Sequence, residues 1–163
     1  MAAVDTHSDP LDKIIIIDAG TPLHIACSNN NLYLAQLLFS NKADLNAVDG
    51  AGRTALHIAC ANQHDDIIAW LLKEAAQLSR IEDAAQMTPL NVACSLGRVD
   101  LVQQLINAGA ITSTLIGGDN RSALITTCEH MRQSVAAKHP NYDAVIALLL
   151  TAGAFVDARQ DGM

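Results

Sequence analysis

A heptapeptide that recurs at a nearly fixed interval constrains the fold of this chain more than any other feature. It reads TPLHIAC from Thr21, TALHIAC from Thr54 and TPLNVAC from Thr88, and a divergent form, SALITTC, begins at Ser122. The four starting residues are separated by 33, 34 and 34 positions. A period of this length is typical of proteins that stack small helical units, so the sequence predicts a repeat architecture.

Each unit is predicted to contain two short helices followed by an extended turn. The hydroxyl residue that opens each heptapeptide is suited to cap a helix N-terminus, and proline follows it at Pro22 and Pro89. Leu23, Ala26 and Cys27 then share one helical face. The second helices are predicted in the apolar segments LYLAQLLF, DIIAWLLK, VDLVQQLI and DAVIALLL.

The heptapeptide TPLHIAC with the later KADLN, and the 33-residue period, resemble the ankyrin repeat over roughly residues 18–163. The resemblance implies an all-α solenoid: a right-handed stack of helix–turn–helix units whose extended turns project as fingers. Such arrays usually bind proteins and have no catalysis of their own. The predicted boundaries are an N-terminal segment and cap at 1–17, repeats at 18–50, 51–84, 85–118 and 119–157, and the start of a fifth finger at 158–163.

The chain departs from the family pattern at three positions. Asn91 and Ile125 stand where the family has histidine, and Gln86 replaces the loop glycine that Gly52 retains. That loop position favours a positive φ, which glycine adopts most readily. The fourth unit also carries ten extra residues, because Ala154 lies 32 positions after Ser122 whereas Ala43 lies 22 after Thr21.

The four cysteines end the four heptapeptides, which leaves a metal cage, reactive thiols or a structural role to be weighed. Equivalent residues of stacked helices lie roughly 8–10 Å apart, too far for a disulfide or a shared zinc ion. We therefore predict reduced, mostly buried cysteines. His24 and Cys27 have the spacing of a base and nucleophile, but this pair recurs in the next unit and lacks an orienting acid. We predict a non-catalytic chain without cofactors, and the resemblance to the ankyrin repeat implies that these histidines bond to the neighbouring loop backbone.

The charge of the chain bears on its partners. The formal net charge is −7, and Lys and Arg do not cluster, which argues against nucleic acid. No apolar run is long enough to cross a membrane, and the first residues do not resemble a secretory signal. We predict a monomeric protein of the cytosol or nucleus that binds another protein and neither nucleic acid nor membrane.

The resemblance implies a partner-binding concave face, lined by finger tips and the exposed ends of the first helices. The implied tips are residues 48–51, 82–85 and 116–120. The other implied contact residues are Ser28, Asn29, Arg53, Ala61, Asn62, Met87, Ser95, Leu96, Arg121, Glu129 and His130. Two alternatives remain open: a substrate-targeting domain of a larger enzyme or effector, and a self-associating scaffold.

Four further expectations concern particular segments. The first helix of the fourth unit should run from Ala123 to Lys138, because no Gly or Pro interrupts it. Trp70 should be partly buried, and Asp65 and Asp66 should cap their helix. The sequence VDARQDGM enters a fifth finger, so we expect the chain to be the N-terminal part of a longer protein.

Overall fold

The computed structural model describes residues 20–112, 122–133 and 141–154, and these form four consecutive helix pairs. The predicted all-α repeat fold is confirmed. The pairs are α1 (Pro22–Ser28) with α2 (Leu32–Ser40), α3 (Ala55–Ala61) with α4 (Asp65–Glu74), α5 (Pro89–Ser95) with α6 (Val99–Asn107), and α7 (Ala123–Gln133) with α8 (Tyr142–Thr151). The first helices α1, α3, α5 and α7 pack side by side in one row, and α4, α6 and α8 form a second row.

The predicted capping of the first helices is confirmed. Thr21 and Thr54 are extended, and each forms a reciprocal capping box with the histidine three residues later. The backbone N–H of Thr21 donates to His24 Nδ1 at 3.0 Å, and that of Thr54 donates to His57 Nδ1 at 3.1 Å. Thr88 forms the same box with Asn91, so an amide can replace the imidazole in this local role.

The centre of the stack is built from alanine. Ala26, Ala59 and Ala93, each the fifth residue after its cap, have no exposed surface at all. Small side chains let adjacent first helices approach closely, and larger ones here would push the units apart.

Each first helix presents different residues to its two neighbours. The third residue after the cap points to the following unit, because His24 Nε2 donates to the carbonyl of Arg53 at 3.0 Å. The fourth points to the preceding unit, since Thr126 Oγ1 accepts from Asn91 Nδ2 at 3.0 Å. Every unit therefore has one face for its predecessor and another for its successor.

The prediction of buried cysteines holds for three and is wrong for Cys128. Cys27, Cys60 and Cys94 are fully buried, whereas Cys128 is exposed. The sixth residue after the cap lies on the face for the following unit, and no further unit covers that face of α7 in the part of the chain that the structure describes.

Three other segments can be compared with what the sequence predicted for them. Helix α7 has 11 residues where α1, α3 and α5 have 7, so the predicted lengthening is present through Gln133, and residues 134–138 lie outside the described part. Asp65 and Asp66 do not cap α4, because they occupy its first turn and His64 precedes it. A five-residue 3₁₀ helix, Ala76–Arg80, replaces part of the extended turn predicted after α4.

Candidate protein-binding surface

The first described finger is organised around one buried carboxylate. Asp49 Oδ1 accepts from the backbone N–H groups of Ala51 and Arg53, both at 2.9 Å, and Oδ2 lies 2.7 Å from the Arg53 guanidinium. Burial alone would raise the pKa of Asp49, but these bonds to Arg53 and Ala51 outweigh it and lower the pKa. The carboxylate therefore stays ionised and holds the loop in one conformation.

The second finger repeats this construction. Asp83 Oδ1 accepts from the N–H groups of Ala85 and Met87, both at 2.9 Å. Gln86 adopts a φ of 59°, as Gly52 does in the first finger with a φ of 72°. The prediction that this loop position favours a positive φ is confirmed, although a non-glycine residue occupies it here.

The two fingers contact each other directly. The N–H of Ala84 donates to the carbonyl of Ala51 at 2.9 Å. A Cβ atom added to Gly52 would lie only 2.7 Å from the backbone nitrogen of Ala84. The absence of a side chain at Gly52 thus permits the close approach, and the two tips form one continuous surface.

In the two fingers just described, the residue that joins the finger to the next helix is bound by a histidine of the preceding unit. His57 Nε2 donates to the carbonyl of Met87 at 2.9 Å, as His24 does to that of Arg53. Since Nδ1 of each ring accepts from its cap residue, the donor must be Nε2–H of a neutral imidazole. Burial lowers the pKa of His57, which favours this neutral form. The predicted histidine-to-loop bonds are confirmed.

The exposed ends of the first helices lie seven and eight residues beyond the caps. Asn29 and Asn62 are exposed helix C-caps, and Ala61 is exposed beside Asn62. Ser28 and Ser95 are half-buried, and the Ser95 hydroxyl donates to the carbonyl of Val92 at 2.8 Å.

Leu96 is the apolar member of this set. It is the C-cap of α5, and 36% of its surface is exposed. Met87 is only half-buried and therefore retains some accessible surface. The Arg53 side chain is also partly exposed, but its guanidinium is paired with Asp49.

The remaining predicted contact residues belong to the fourth unit. Glu129 and His130 are half-buried on α7, and His130 Nδ1 lies 2.9 Å from the carbonyl of Thr126. Arg121 and the tip at 116–120 lie outside the described residues. The structure thus describes the surface most fully around the second and third units.

Sequence reasoning missed a set of contacts made by the residue ten positions after the cap, where the second helix begins. His64 Nδ1 lies 2.9 Å from the carbonyl of Cys27 in the preceding unit. Arg98, at the same position of the next unit, bonds Asp65 at 3.0 Å and also pairs with Asp100. Arg98 holds the pKa of Asp100 at about 2. The one sequence signal was the placement of large polar residues at this position.

The fourth unit makes the corresponding contact with tyrosine. The Tyr142 hydroxyl donates to the carbonyl of Ser95 at 2.9 Å, and its ring lies beside Gly97. The ten extra residues of this unit therefore do not prevent its second helix from reaching the preceding unit.

The chemistry of the buried thiols follows from their surroundings. Burial raises the pKa of Cys27 and Cys94 to about 12, and it raises that of Cys60 further. These groups remain protonated near neutral pH, whereas nucleophilic and metal-binding cysteines act as thiolates. Among the described residues, no group of three His, Cys, Asp or Glu side chains is arranged to hold a metal ion. Nor do the described helices include one with the length and apolar character needed to cross a membrane.

Several proteins resemble this chain over part of their length. A probable 26S proteasome regulatory subunit, p28, of Saccharomyces cerevisiae is 36% identical over 95 residues, which are 56% of this chain and 41% of that protein. The E3 ubiquitin-protein ligase XBAT33 of Arabidopsis thaliana is 27% identical over 121 residues, 74% of this chain and 23% of the ligase. The tyrosine-protein kinase HTK16 of Hydra vulgaris is 38% identical over 93 residues, 55% of this chain and 12% of the kinase. The chain thus spans less than half the length of each.

The family model for ankyrin repeats in three copies matches residues 1–82 and 23–115. These matches include the heptapeptides that start at Thr21, Thr54 and Thr88, and each of the three forms the capping box described above. The helix pairs, the linked fingers and the histidine bonds between units agree with this match. The chain belongs to the ankyrin repeat family.

Proposed function

We propose that this chain recognises a partner protein through the concave surface of its second and third repeats. Ankyrin repeats are generally protein–protein interaction modules. The proposed contact residues at the centre of this surface are Arg53, Asn62, Met87, Ser95 and Leu96, with the tips at 48–51 and 82–85 beside them. The free, buried thiols are consistent with action in the cytosol or nucleus, where thiols stay reduced.

The main support for this proposal is the hydrogen bond that joins the two finger tips. The hydrogen bond from Ala84 to Ala51, together with the carboxylate-centred loops of Asp49 and Asp83, fixes the fingers before any partner arrives. A surface that is already ordered loses little conformational entropy on binding, so more of the contact energy contributes to affinity. Loops without such bonds would have to be ordered by the partner.

The exposed side chains indicate the chemistry of the contact. Leu96 and Val48 are 36% and 51% exposed, and each offers an apolar surface for a partner to cover. Asn62 adds amide donors and acceptors that tolerate varied polar groups. Apolar anchors within a polar rim are the usual composition of protein interfaces.

A pair of double variants tests this assignment. Partners are first identified by affinity capture with the full-length protein, and binding of each purified partner is then measured by calorimetry. Asn62→Asp with Leu96→Asp should weaken binding at least about tenfold, roughly 1.4 kcal/mol, because both side chains are exposed and the new carboxylates would be desolvated.

The matched control is Gln36→Asp with Gln104→Asp. Both glutamines are exposed on second helices, α2 and α6, away from the fingers. This pair adds the same two charges and should leave the affinity nearly unchanged. If the control pair abolishes binding and the Asn62 and Leu96 pair does not, the proposed face is wrong. Circular dichroism melts of all variants exclude unfolding as the cause.

A second candidate function is the targeting of a larger enzyme to its substrate. Two relatives, XBAT33 and HTK16, are named as a ubiquitin ligase and a tyrosine kinase, and this chain corresponds to 23% and 12% of them. In that case the same concave surface would bind the substrate protein. The enzyme would then modify the partners that it captures. Incubation with ubiquitination components would test for ubiquitin transfer, and incubation with ATP would test for phosphorylation.

A further inference from the structure

The second helices of the first two repeats, α2 and α4, carry an apolar surface that the proposed function does not use. Tyr33 is 77% exposed, Leu37 is 46% exposed and Phe39 is 37% exposed. Trp70 of α4 is half-buried, and its ring meets that of Phe39 edge-on, with the ring centroids 5.9 Å apart. These four residues, which we call the outer patch, therefore extend across both helices.

The outer patch concentrates a residue type that is scarce in this chain. The chain has two phenylalanines, two tyrosines and one tryptophan, and three of these five aromatic residues belong to the outer patch. In the third repeat, Asp100 and Gln104 take the places of Tyr33 and Leu37, so the repeat pattern itself does not require apolar residues there. Exposed aromatic and aliphatic side chains that cluster in this way mark a surface that binds another molecule.

The charges beside the outer patch form an asymmetric pattern. Helix α2 contains no charged residue, whereas α4 has Asp66 in its first turn and Lys73 in its last turn. Both side chains are exposed, and their separation of seven residues, about two turns, places them on the same side of α4. Glu74 is turned about 100° away from Lys73 around the helix. In the described part of the chain, neither Asp66 nor Lys73 forms an ion pair.

This pattern is complementary to itself. If two copies of the chain bring their outer patches face to face with the two α4 helices antiparallel, Asp66 of each copy lies opposite Lys73 of the other. The apolar residues between the charges then meet in the middle. A chain with a formal net charge of −7 repels its own copies in most orientations, so a contact between copies requires a region where opposite charges meet. The outer patch and α4 provide such a region.

We propose that the outer patch joins two copies of this chain into an antiparallel dimer with two-fold symmetry. The contact is small, because α2 and α4 have nine and ten residues and are therefore about 15 Å long. It buries less than the roughly 800 Å² per partner of a standard interface, so the dimer should be weak and should dissociate in the micromolar range. The monomer expected from the sequence is then the form present in dilute solution.

The dimer leaves the proposed partner-binding surface accessible. The proposed contact residues of that surface belong to the fingers and the first helices, whereas the outer patch belongs to the second helices. One dimer would therefore present two concave surfaces, and a partner with two copies of the recognised segment would bind it more tightly than a partner with one. Partner binding and self-association can be lost independently of each other.

Sedimentation velocity of the 163-residue chain, from about 1 µM to about 1 mM, tests the proposal. The unmodified chain should change from monomer to dimer within this range. Leu37→Asp should weaken dimerisation at least about tenfold, because it places a carboxylate in the apolar middle of the contact. Asp66→Lys and Lys73→Asp, made separately, should each have an effect of the same size, because each sets like charges opposite one another.

A mixture of the last two variants is the decisive measurement. In a mixed dimer of Asp66→Lys with Lys73→Asp, both pairs of opposite charges are restored, so the mixture should dimerise within about threefold of the unmodified chain. Arg132→Asp is the matched control, since it makes the same charge change as Lys73→Asp at an exposed residue in the last turn of α7, and it should leave dimerisation unchanged.

Two results would overturn the proposal. The first is an unmodified chain that stays monomeric over the whole concentration range, which would mean that residues 1–19 or a different molecule cover the outer patch. The second is a mixture of the Asp66→Lys and Lys73→Asp chains that associates no better than either variant alone, since the antiparallel arrangement would then be wrong. Circular dichroism melts identify any variant whose failure to dimerise comes from unfolding.

Discussion

His57 links a repeat to the loop of its successor through a neutral, buried imidazole. Burial lowers its pKa below the value of about 6.5 expected in the unfolded chain. Between the folded and unfolded pKa values the unfolded chain binds more protons, so the free energy of unfolding rises with pH. The stability that His57 contributes is therefore complete above about pH 6.5 and is lost as the pH falls toward the folded pKa.

The variant His57→Asn should reveal this contribution. Near pH 7.5 it should lower the free energy of unfolding by about 1–3 kcal/mol, because the carbonyl of Met87 loses its donor. At pH 5.5 the difference from the original protein should be smaller, since the unfolded form of the original is stabilised by protonation. Urea denaturation at the two pH values measures both differences. A difference that stays constant or grows at pH 5.5 would contradict the argument.

Gly52 tests how strongly the contact between fingers limits side-chain size. Gly52→Ala should destabilise the fold by more than about 1 kcal/mol, because the residue has a positive φ and the new Cβ would meet the Ala84 backbone at 2.7 Å. Gly153→Ala is the matched control, since Gly153 also has a positive φ but no atom within 4 Å of the added Cβ. Denaturation should show a larger loss for Gly52→Ala. Equal losses of stability in the two variants would mean that the positive φ, and not the contact with Ala84, determines the cost of the substitution.

At the scale of helices, the junction between α5 and α7 uses a different polar pair from the earlier junctions. Asn91 is shorter than histidine, and its Nδ2 donates to Thr126 Oγ1 at 3.0 Å. In the earlier junctions, Ile58 and Val92 occupy the position of Thr126, and the histidine bonds a loop carbonyl instead. The threonine thus compensates for the loss of the histidine.

Thr126→Ile should therefore cost about 1–3 kcal/mol, because it leaves the buried Asn91 amide without this acceptor. Adding Asn91→His should recover part of that loss, since the pair would then match the first two junctions. A double-mutant cycle in urea measures the coupling free energy. If the two single losses simply add, the two residues do not compensate for each other.

The helices were predictable because each carries its own signals. The first helices were placed correctly from three signals: the cap residue, the proline at Pro22 or Pro89, and the apolar spacing. The 3₁₀ helix at Ala76–Arg80 was not predicted, because its segment carries no Gly or Pro and its buried Leu78 depends on tertiary packing. The exposure of Cys128 was also missed, since its heptapeptide letter is the same as in the other units and only the neighbour differs.

At the scale of the whole molecule, the sequence predicted a set of contact residues but not the bonds that each side chain makes. The register of the repeat gave Arg53 and Met87 equivalent positions, one residue before the cap, and gave Leu96 a position eight residues after it. It could not show that Asp49 holds the Arg53 guanidinium, or that Ala84 binds the carbonyl of Ala51, because these bonds depend on loop conformation and on the stacking of neighbouring units. The partner itself is not encoded in the repeat pattern.

The stack as a whole depends on close approach along its first helices, where Ala26, Ala59 and Ala93 are completely buried. Ala59→Leu introduces three carbon atoms into a site packed on both sides, so it should lower the free energy of unfolding by about 1–3 kcal/mol. Because α3 leads out of the first finger and contacts both α1 and α5, the displaced helix should also disturb the bond between Ala84 and Ala51. Hydrogen exchange at the Ala84 amide should therefore accelerate.

The control is Ala69→Leu, which adds the same atoms to an exposed position on α4 and should change stability by less than about 0.5 kcal/mol. Urea denaturation gives the stabilities, and exchange followed by NMR reports on the finger contact. A stable Ala59→Leu variant with slow exchange at Ala84 would show that the stack can absorb the larger side chain. Faster exchange at Ala84 with little loss of stability would show instead that the finger contact opens before the helices unfold. The bond between Ala84 and Ala51 would then be the part of the stack most sensitive to the spacing of the first helices.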